Sequence, residues 1–191
     1  MKINPNPQGK GVVVLMGALA EAKSLIQLPP KTAEQISVEL FTSLFVLQSE
    51  FKFKPVVGRH YWLYFNQGLF KLSLVAPEEG GSYCFGLPVG KSILQDDITW
   101  SLELSDEAQA DIDLMSLIQS KQKEFESRLK QADSIDKALP FYREKLPFYQ
   151  RIFAAGLAQS LSKSAQYQGI ADLTYDAALK CLSQNKGHDL I

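Results

Sequence analysis

The stretch F-K-F-K-P-V-V-G-R-H-Y-W-L-Y-F (51–65), continued by L-F-K-L-S-L-V-A-P-E-E-G (69–80) and closed by D-D-I-T-W-S-L-E-L (96–104), decides the fold. No other part of the chain gathers aromatic and β-branched residues this densely, and such composition marks a sheet nucleus rather than a helix. His60–Phe65 and Leu69–Val75 read as a hairpin around Asn66-Gln67-Gly68. Loop parity sets the faces, because a one-residue slip inverts every side chain. An even loop places Tyr61, Leu63, Phe65, Phe70, Leu72 and Leu74 on one face, with Trp62, Tyr64, Lys71 and Ser73 on the other. An odd loop with a bulge at Gly68 groups His60, Trp62, Tyr64, Phe70, Leu72 and Leu74 instead. The even loop is the better reading, since it sets the amphipathic rings beside polar side chains and water. Tyr83–Phe85, Val89–Leu94 and Thr99–Leu104 complete an antiparallel meander of four or five strands. No nucleophile, metal cluster or phosphate loop lies in the block, so it specifies architecture rather than an activity.

Working outward, Asn-Pro repeats make residues 1–10 an extended arm. Val12–Leu28 follows as a helix, stopped by Pro29-Pro30. Thr32 is a candidate N-cap with Gln35 three residues later, as a capping box requires. Ala33, Ile36, Leu40, Leu44, Leu47 and Phe51 then recur at helical spacing, and Phe41 and Phe45 widen the stripe. So broad an apolar face needs a large partner, and the sheet is the obvious one. After the sheet, Ser105-Asp106-Glu107 caps a long helix from about Glu107 to Gln131, whose apolar positions Ile112, Met115, Leu117, Ile118, Phe125 and Leu129 form a narrow seam. Leu139-Pro140-Phe141-Tyr142-Arg143 is echoed by Leu146-Pro147-Phe148-Tyr149-Gln150-Arg151, with each proline expected at a helix start. Gly169 ends that helix, and Asp172–Gln184 forms the last one. The expected fold is α+β: N-terminal helices packed on the meander over residues 1–104, then a C-terminal helical region over 105–191 packed on the same body. The C-terminal helices should either wrap the second sheet face or form a two-fold interface.

Composition removes several classes. The chain has 191 residues, 46% hydrophobic and 21% charged, which suits a folded globular protein and not a disordered one. Twenty basic against 21 acidic residues leave a net charge of −1, without the excess expected of a protein built to hold phosphate backbones. Cys84 and Cys181 make neither a disulfide framework nor a zinc pattern, so a reducing cytoplasm is the expected setting. Val12–Ala20 followed by Ala20-Glu21-Ala22 imitates a secretory leader, but the Pro-rich start and the continuation through Leu25, Ile26 and Leu28 argue against it. Glu21 and Lys23 interrupt the run before it could span a bilayer, and no membrane partner is expected.

Each chemical motif has a plain structural competitor. Gly90-Lys91-Ser92 suggests a Walker loop, yet the required earlier glycine is replaced by Phe85, and a strand rather than a helix follows. Cys84 and His60 lack an orienting third group, and His60 with His188 is poor support for a metal site. Glu78-Glu79 and Asp96-Asp97 are paired carboxylates in loops at opposite ends of the sheet, where solvation and turn chemistry account for them. Tyr61, Trp62, Tyr64 and Phe65, with Lys52, Lys54, Arg59 and Lys71 nearby, offer a stacking platform for single-stranded nucleic acid. Alternating aromatics in a strand are more often core, and nucleic acid is not the expected partner.

Three segments carry a family resemblance: F-x-F-K-P-V-V-G-x-x-Y-W-L-Y (51–64), L-S-L-V-A-P-E-E (72–79) and G-x-x-x-L-x-x-D-x-T-W (90–100). With the N-P-N-P-Q-G-K-G leader, they resemble the domain of unknown function family DUF 2452 over residues 4–104. Where the family has a frequent tryptophan after Pro-x-Glu, this chain has Glu79-Gly80-Gly81. The resemblance supports the fold and implies no activity, cofactor or catalytic residue.

The sequence therefore favours a non-catalytic interaction module acting on a protein partner or on a second copy of itself. Its candidate surface is Trp62, Tyr64, Lys71, Glu78, Glu79, Phe141, Tyr142, Phe148 and Tyr149, with no catalytic residue, no metal and no cofactor. A small-molecule-binding protein or enzyme is the alternative, its site near the 76–97 loops with Glu78, Glu79, His60 and Asp97. Single-stranded nucleic-acid binding on the aromatic sheet face is a third reading.

Overall fold

The computed structural model describes residues 31–138 and 146–185. The arm at 1–10, the helix expected over Val12–Leu28, His188, and the Phe141-Tyr142 pair lie outside the described residues, as do the side chains of Phe148 and Tyr149.

Helix α1, Ala33–Leu47, starts at the anticipated capping box. Thr32 Oγ1 accepts from the Gln35 amide at 3.2 Å, and the Gln35 side chain accepts from the Thr32 amide at 2.9 Å. Two of the donors that a helix start leaves unpaired are thereby satisfied. Ile36, Leu40, Leu44 and Leu47 are buried as the periodicity requires, but so are Ser37, Ser43, Phe45 and Val46. The helix is buried more widely than one sheet face explains, because it is packed on two sides.

On one side lies the sheet, with β1 His60–Asn66, β2 Leu69–Ser73, β3 Leu87–Leu94 and β4 Trp100–Leu104 in the order β2-β1-β3-β4. All pairs are antiparallel. The β1–β2 hairpin has the even loop: Phe65 faces Phe70, Leu63 faces Leu72 and Tyr64 faces Lys71. Gln67 and Gly68 both take positive φ, 49° and 84°, as a two-residue type I′ turn demands. The strand order departs from a strict meander. β3 pairs with β1 rather than β2, so the β2–β3 connection must cross the sheet. It does so through a 3₁₀ turn, Pro77–Glu79, and a short helix α2, Gly81–Phe85, where a strand was expected at 83–85. Val89 bulges from the β1–β3 ladder beside Pro88, a residue that cannot donate to a ladder.

On the other side of α1 lie the C-terminal helices. The single helix expected over 107–131 is two, α3 Asp106–Ala110 and α4 Ile112–Lys130. Asp111 breaks the run in an extended conformation and caps α4, its carboxylate accepting from the Leu114 amide at 2.9 Å. A short polar side chain competes well for backbone donors in this way. Leu114, Ile118, Phe125 and Leu129 form the buried seam of α4, while Ile112 is exposed. After α5, Ile135–Ala138, come α6, Phe148–Tyr167, and α7, Tyr175–Asn185. The last helix starts three residues later than expected, where Thr174 Oγ1 accepts from the Ala177 amide.

Of these helices α4, α6 and α7 pack on α1 while α3 packs on β3, and among the described residues Lys71, Lys91 and Glu103 on the second sheet face stay exposed rather than wrapped. Phe41 of α1 meets Phe125 of α4 with ring centroids 5.7 Å apart, and the Gln150 side chain donates to the Ser49 carbonyl at 2.9 Å. Across the helix, Ser43 Oγ accepts from the Trp100 amide of β4 at 2.8 Å. Leu40 and Leu47 of α1, Tyr61 and Leu63 of β1 and Leu157 and Leu161 of α6 belong to one continuous buried cluster. Among the described residues, no helix is long and apolar enough to cross a membrane.

Candidate functional site

Because β2 and β3 flank β1, the chain between them runs over the outer sheet face and roofs one end of it. Tyr64 points into that roof. Its hydroxyl donates to the Val75 carbonyl at 2.8 Å, and its ring lies 5.4 Å from that of Phe85. Gly81 is required by this approach, since a Cβ there would stand 2.0 Å from the Tyr64 hydroxyl. Burial, reinforced by the negative charges of Glu78 and Glu79 and by Cys84, pushes the Tyr64 phenol up to about 12. Lys71 holds its ammonium 4.4 Å above the Phe85 ring, a cation–π contact at an exposed site. Glu79 accepts from the Ala76 amide at 3.0 Å and so closes the 3₁₀ turn.

Four of the residues singled out from the sequence are thus gathered at the crossover, but two of them serve the fold. Tyr64 is fully buried, whereas the alternation set it beside water. The helix at 81–85 causes the difference by closing over it. Glu79 is a turn cap, and Glu78 stays solvated on the exposed turn.

The open part of the face begins two residues along β1. Trp62 is half-buried between Ser73 of β2 and Lys91 of β3, and Lys91 stands opposite Glu103 of β4. Lys71, Lys91 and Glu103 are exposed. The face is therefore a polar surface with one large aromatic at its centre. Gly90 sits in the interior of β3, where a Cβ would meet the Glu103 carbonyl at 2.1 Å, and Ser92 is buried with its hydroxyl donating to the Ser101 carbonyl. Gly90-Lys91-Ser92 is ladder, not a phosphate cradle. Cys84 is a free, exposed thiol in α2. His60 is exposed at the start of β1, four residues and about 13 Å along the strand from Tyr64.

One charged cluster was not anticipated. Lys31, just before the cap of α1, reaches both Glu39 at 2.6 Å and Asp97 in the β3–β4 turn. Asp97 Oδ1 also accepts from the Thr99 amide at 3.0 Å and from its hydroxyl at 2.5 Å. Burial opposes the charge on Asp97, but the bonds from Lys31 and Thr99 outweigh it and hold the carboxyl below its ordinary value. Burial dominates at Glu39 and raises it, against the pull of Lys31. For Lys31, burial is outweighed by its two carboxylate partners, and the ammonium is held above its ordinary value. The cluster pins the chain entering α1 to the sheet. Asp97 is thereby engaged by Lys31 and Thr99.

A cleft of about 160 Å³ lies between α1 and α4, walled by Phe41, Phe45 and Phe125 with Lys121 and Arg128 at its rim. Arg128 is paired with Glu124 one turn away. Among the described residues, no three His, Cys, Asp or Glu side chains converge to hold a metal ion. No family model, curated protein or solved structure matches the chain.

Proposed function

We propose that this is a non-catalytic interaction protein whose contact surface is the open part of the outer sheet face, centred on Trp62 and flanked by Lys71 and Lys91. The observation that carries the reading is the placement of the C-terminal helices. The helices α4, α6 and α7 pack on α1, on the far side of the sheet, and Lys71, Lys91 and Glu103 around half-buried Trp62 are exposed; among the described residues the crossover roofs the Tyr64 end of this face. A half-buried tryptophan at the centre of an exposed face has the character of an interface anchor, since Trp is among the residues that carry most binding energy, and the flanking lysines supply a polar rim. The two polar side chains best placed for chemistry, Tyr64 and Glu79, already carry hydrogen bonds that the crossover needs. The occupant is a protein partner or a second copy of this chain. A reducing cytoplasm suits the exposed free thiol of Cys84. Membership of the DUF 2452 family belongs to the same reading, on the motifs over residues 4–104.

The test combines cross-linking in cells with light scattering, for the wild type and for Trp62→Ala. A partner or a dimer that is captured by the wild type and lost in the variant, at an unchanged melting temperature, supports the assignment. Equal capture by both would place the contact elsewhere.

A further inference from the structure

We propose that the loop Lys52–His60 docks on the surface of an anionic phospholipid bilayer, with Val56 and Val57 entering the headgroup layer. This goes beyond the outer-face reading and rests on different residues. The loop leads into β1 with the alternation Phe51-Lys52-Phe53-Lys54. The two phenylalanines are half-buried; Phe53 stacks on Tyr61 at 5.2 Å and Phe51 meets Phe53 at 5.4 Å. The alternation therefore turns both lysines to solvent. Beyond buried Pro55 the backbone is held at several points. The Tyr61 hydroxyl accepts from the Val56 amide at 2.7 Å, the Gly58 amide donates to the Leu94 carbonyl at 2.8 Å, and the Arg59 amide to the Val56 carbonyl at 3.3 Å. This is a preorganised tip, and it presents two apolar β-branched side chains outward: Val56 is 53% and Val57 40% exposed. Leu74, 37% exposed, leaves β2 at the same end of the sheet.

Charge identifies the occupant. Lys52, Lys54 and Arg59 are all exposed, and among the described residues none of them forms an ion pair. Residues 51–60 contain no carboxylate. Of the acidic groups on the neighbouring segments, Asp97 is occupied by Lys31, which leaves Asp96 and Glu50 exposed. A nucleic acid would use the cations and leave the valines bare. A neutral protein groove would use the valines and strand the cations. An anionic headgroup layer takes both, requires no matching shape, and requires no span.

The experiment is co-sedimentation of the full chain with phosphatidylcholine vesicles, with and without one part in three of phosphatidylserine, at low salt. The wild type should pellet with the anionic vesicles and stay in solution with the neutral ones. Each of Lys54→Ala and Arg59→Ala should weaken partition about five-fold, the contribution of one cation near such a surface. Val56→Ser with Val57→Ser should weaken it about ten-fold through lost apolar burial, with the melting temperature of every variant unchanged. Failure of the wild type to pellet, or a valine variant that pellets like the wild type, overturns the proposal. So does binding of a single-stranded oligonucleotide that follows the lysines and ignores the valines, which would assign the patch to nucleic acid.

Discussion

Replacing Tyr64 by phenylalanine removes one atom from a closed space, and the consequence should change sign with pH. At neutral pH the wild type gains from the hydroxyl, which donates to the Val75 carbonyl under the crossover. Phenylalanine leaves that carbonyl without its partner, and the variant should be less stable by about 1–2 kcal/mol. The same hydroxyl becomes a liability in alkali. Its ionisation lies at about 12 in the folded protein against an ordinary 10.0, because burial and the nearby carboxylates oppose a phenolate. A group with a raised folded value contributes stability that is whole below its unfolded value and is lost as pH rises through the folded one. Over those two pH units the loss reaches about 2.7 kcal/mol, with about 1.4 kcal/mol gone by pH 11. The phenylalanine variant has no such loss. The two denaturation curves should therefore converge from pH 10 upward and cross near pH 11. The assay is urea unfolding followed by tryptophan fluorescence in parallel at each pH. Absorbance of the tyrosinate band should show one late-titrating tyrosine in the wild type that the variant lacks. Parallel stability profiles from pH 8 to pH 12 would refute the placement of this hydroxyl in a desolvated, negatively charged pocket.

Two other perturbations probe the body of the fold. Leu40→Ala, at a position 1% exposed between sheet and helices, should destabilise by about 2–5 kcal/mol in urea or thermal melts, and an unchanged melt would contradict the two-sided burial of α1. Asp97→Asn should lower stability by about 1–3 kcal/mol at neutral pH. Asp97 titrates below its unfolded value near 4, so its contribution is whole above that value and fades as pH falls through the folded one; the asparagine variant should lose less than the wild type on acidification, measured by melts from pH 7 downward.

What could be read in advance was local. The capping box at Thr32 and Gln35 involves residues three apart, and the parity of the Gln67-Gly68 turn is settled by which side chains must share a face. The pattern along a strand reports faces, not neighbours, which is why β3 beside β1 was not legible: Tyr64 and Leu63 alternate identically in either strand order. The crossover helix at 81–85 was masked by Tyr83, Cys84 and Phe85, residues with strand composition that are confined to one helical turn by Gly80 and Gly86. In turn, the roof over Tyr64 could not be foreseen. The break at Asp111 has a visible signal, an aspartate three residues before buried Leu114, but it lies within a run of good helix formers. Lys31 and Asp97 are 66 positions apart, and no spacing rule connects a lysine after two prolines with an aspartate in a distant turn. The candidate surface divided along the same line: Trp62 and Lys71 follow from strand alternation, while the structural duties of Tyr64 and Glu79 follow from the crossover.

The double-sided burial of α1 also sets a timetable for synthesis. The sheet is complete once Leu104 has been added, and α1 can dock on it from then on. Its other side, with Phe41, is covered among the described residues by α4 and α6, and the innermost leucine of α6 is Leu161. The intervening 57 residues take about 3–11 s at the usual 5–20 residues per second. For that interval every nascent chain carries a finished sheet with an aromatic helix that α4 and α6 have yet to cover, a surface that a chaperone would bind and a neighbouring nascent chain would stick to. Slowing translation between codons 105 and 161 should lower the soluble yield, and slowing it after 161 should not.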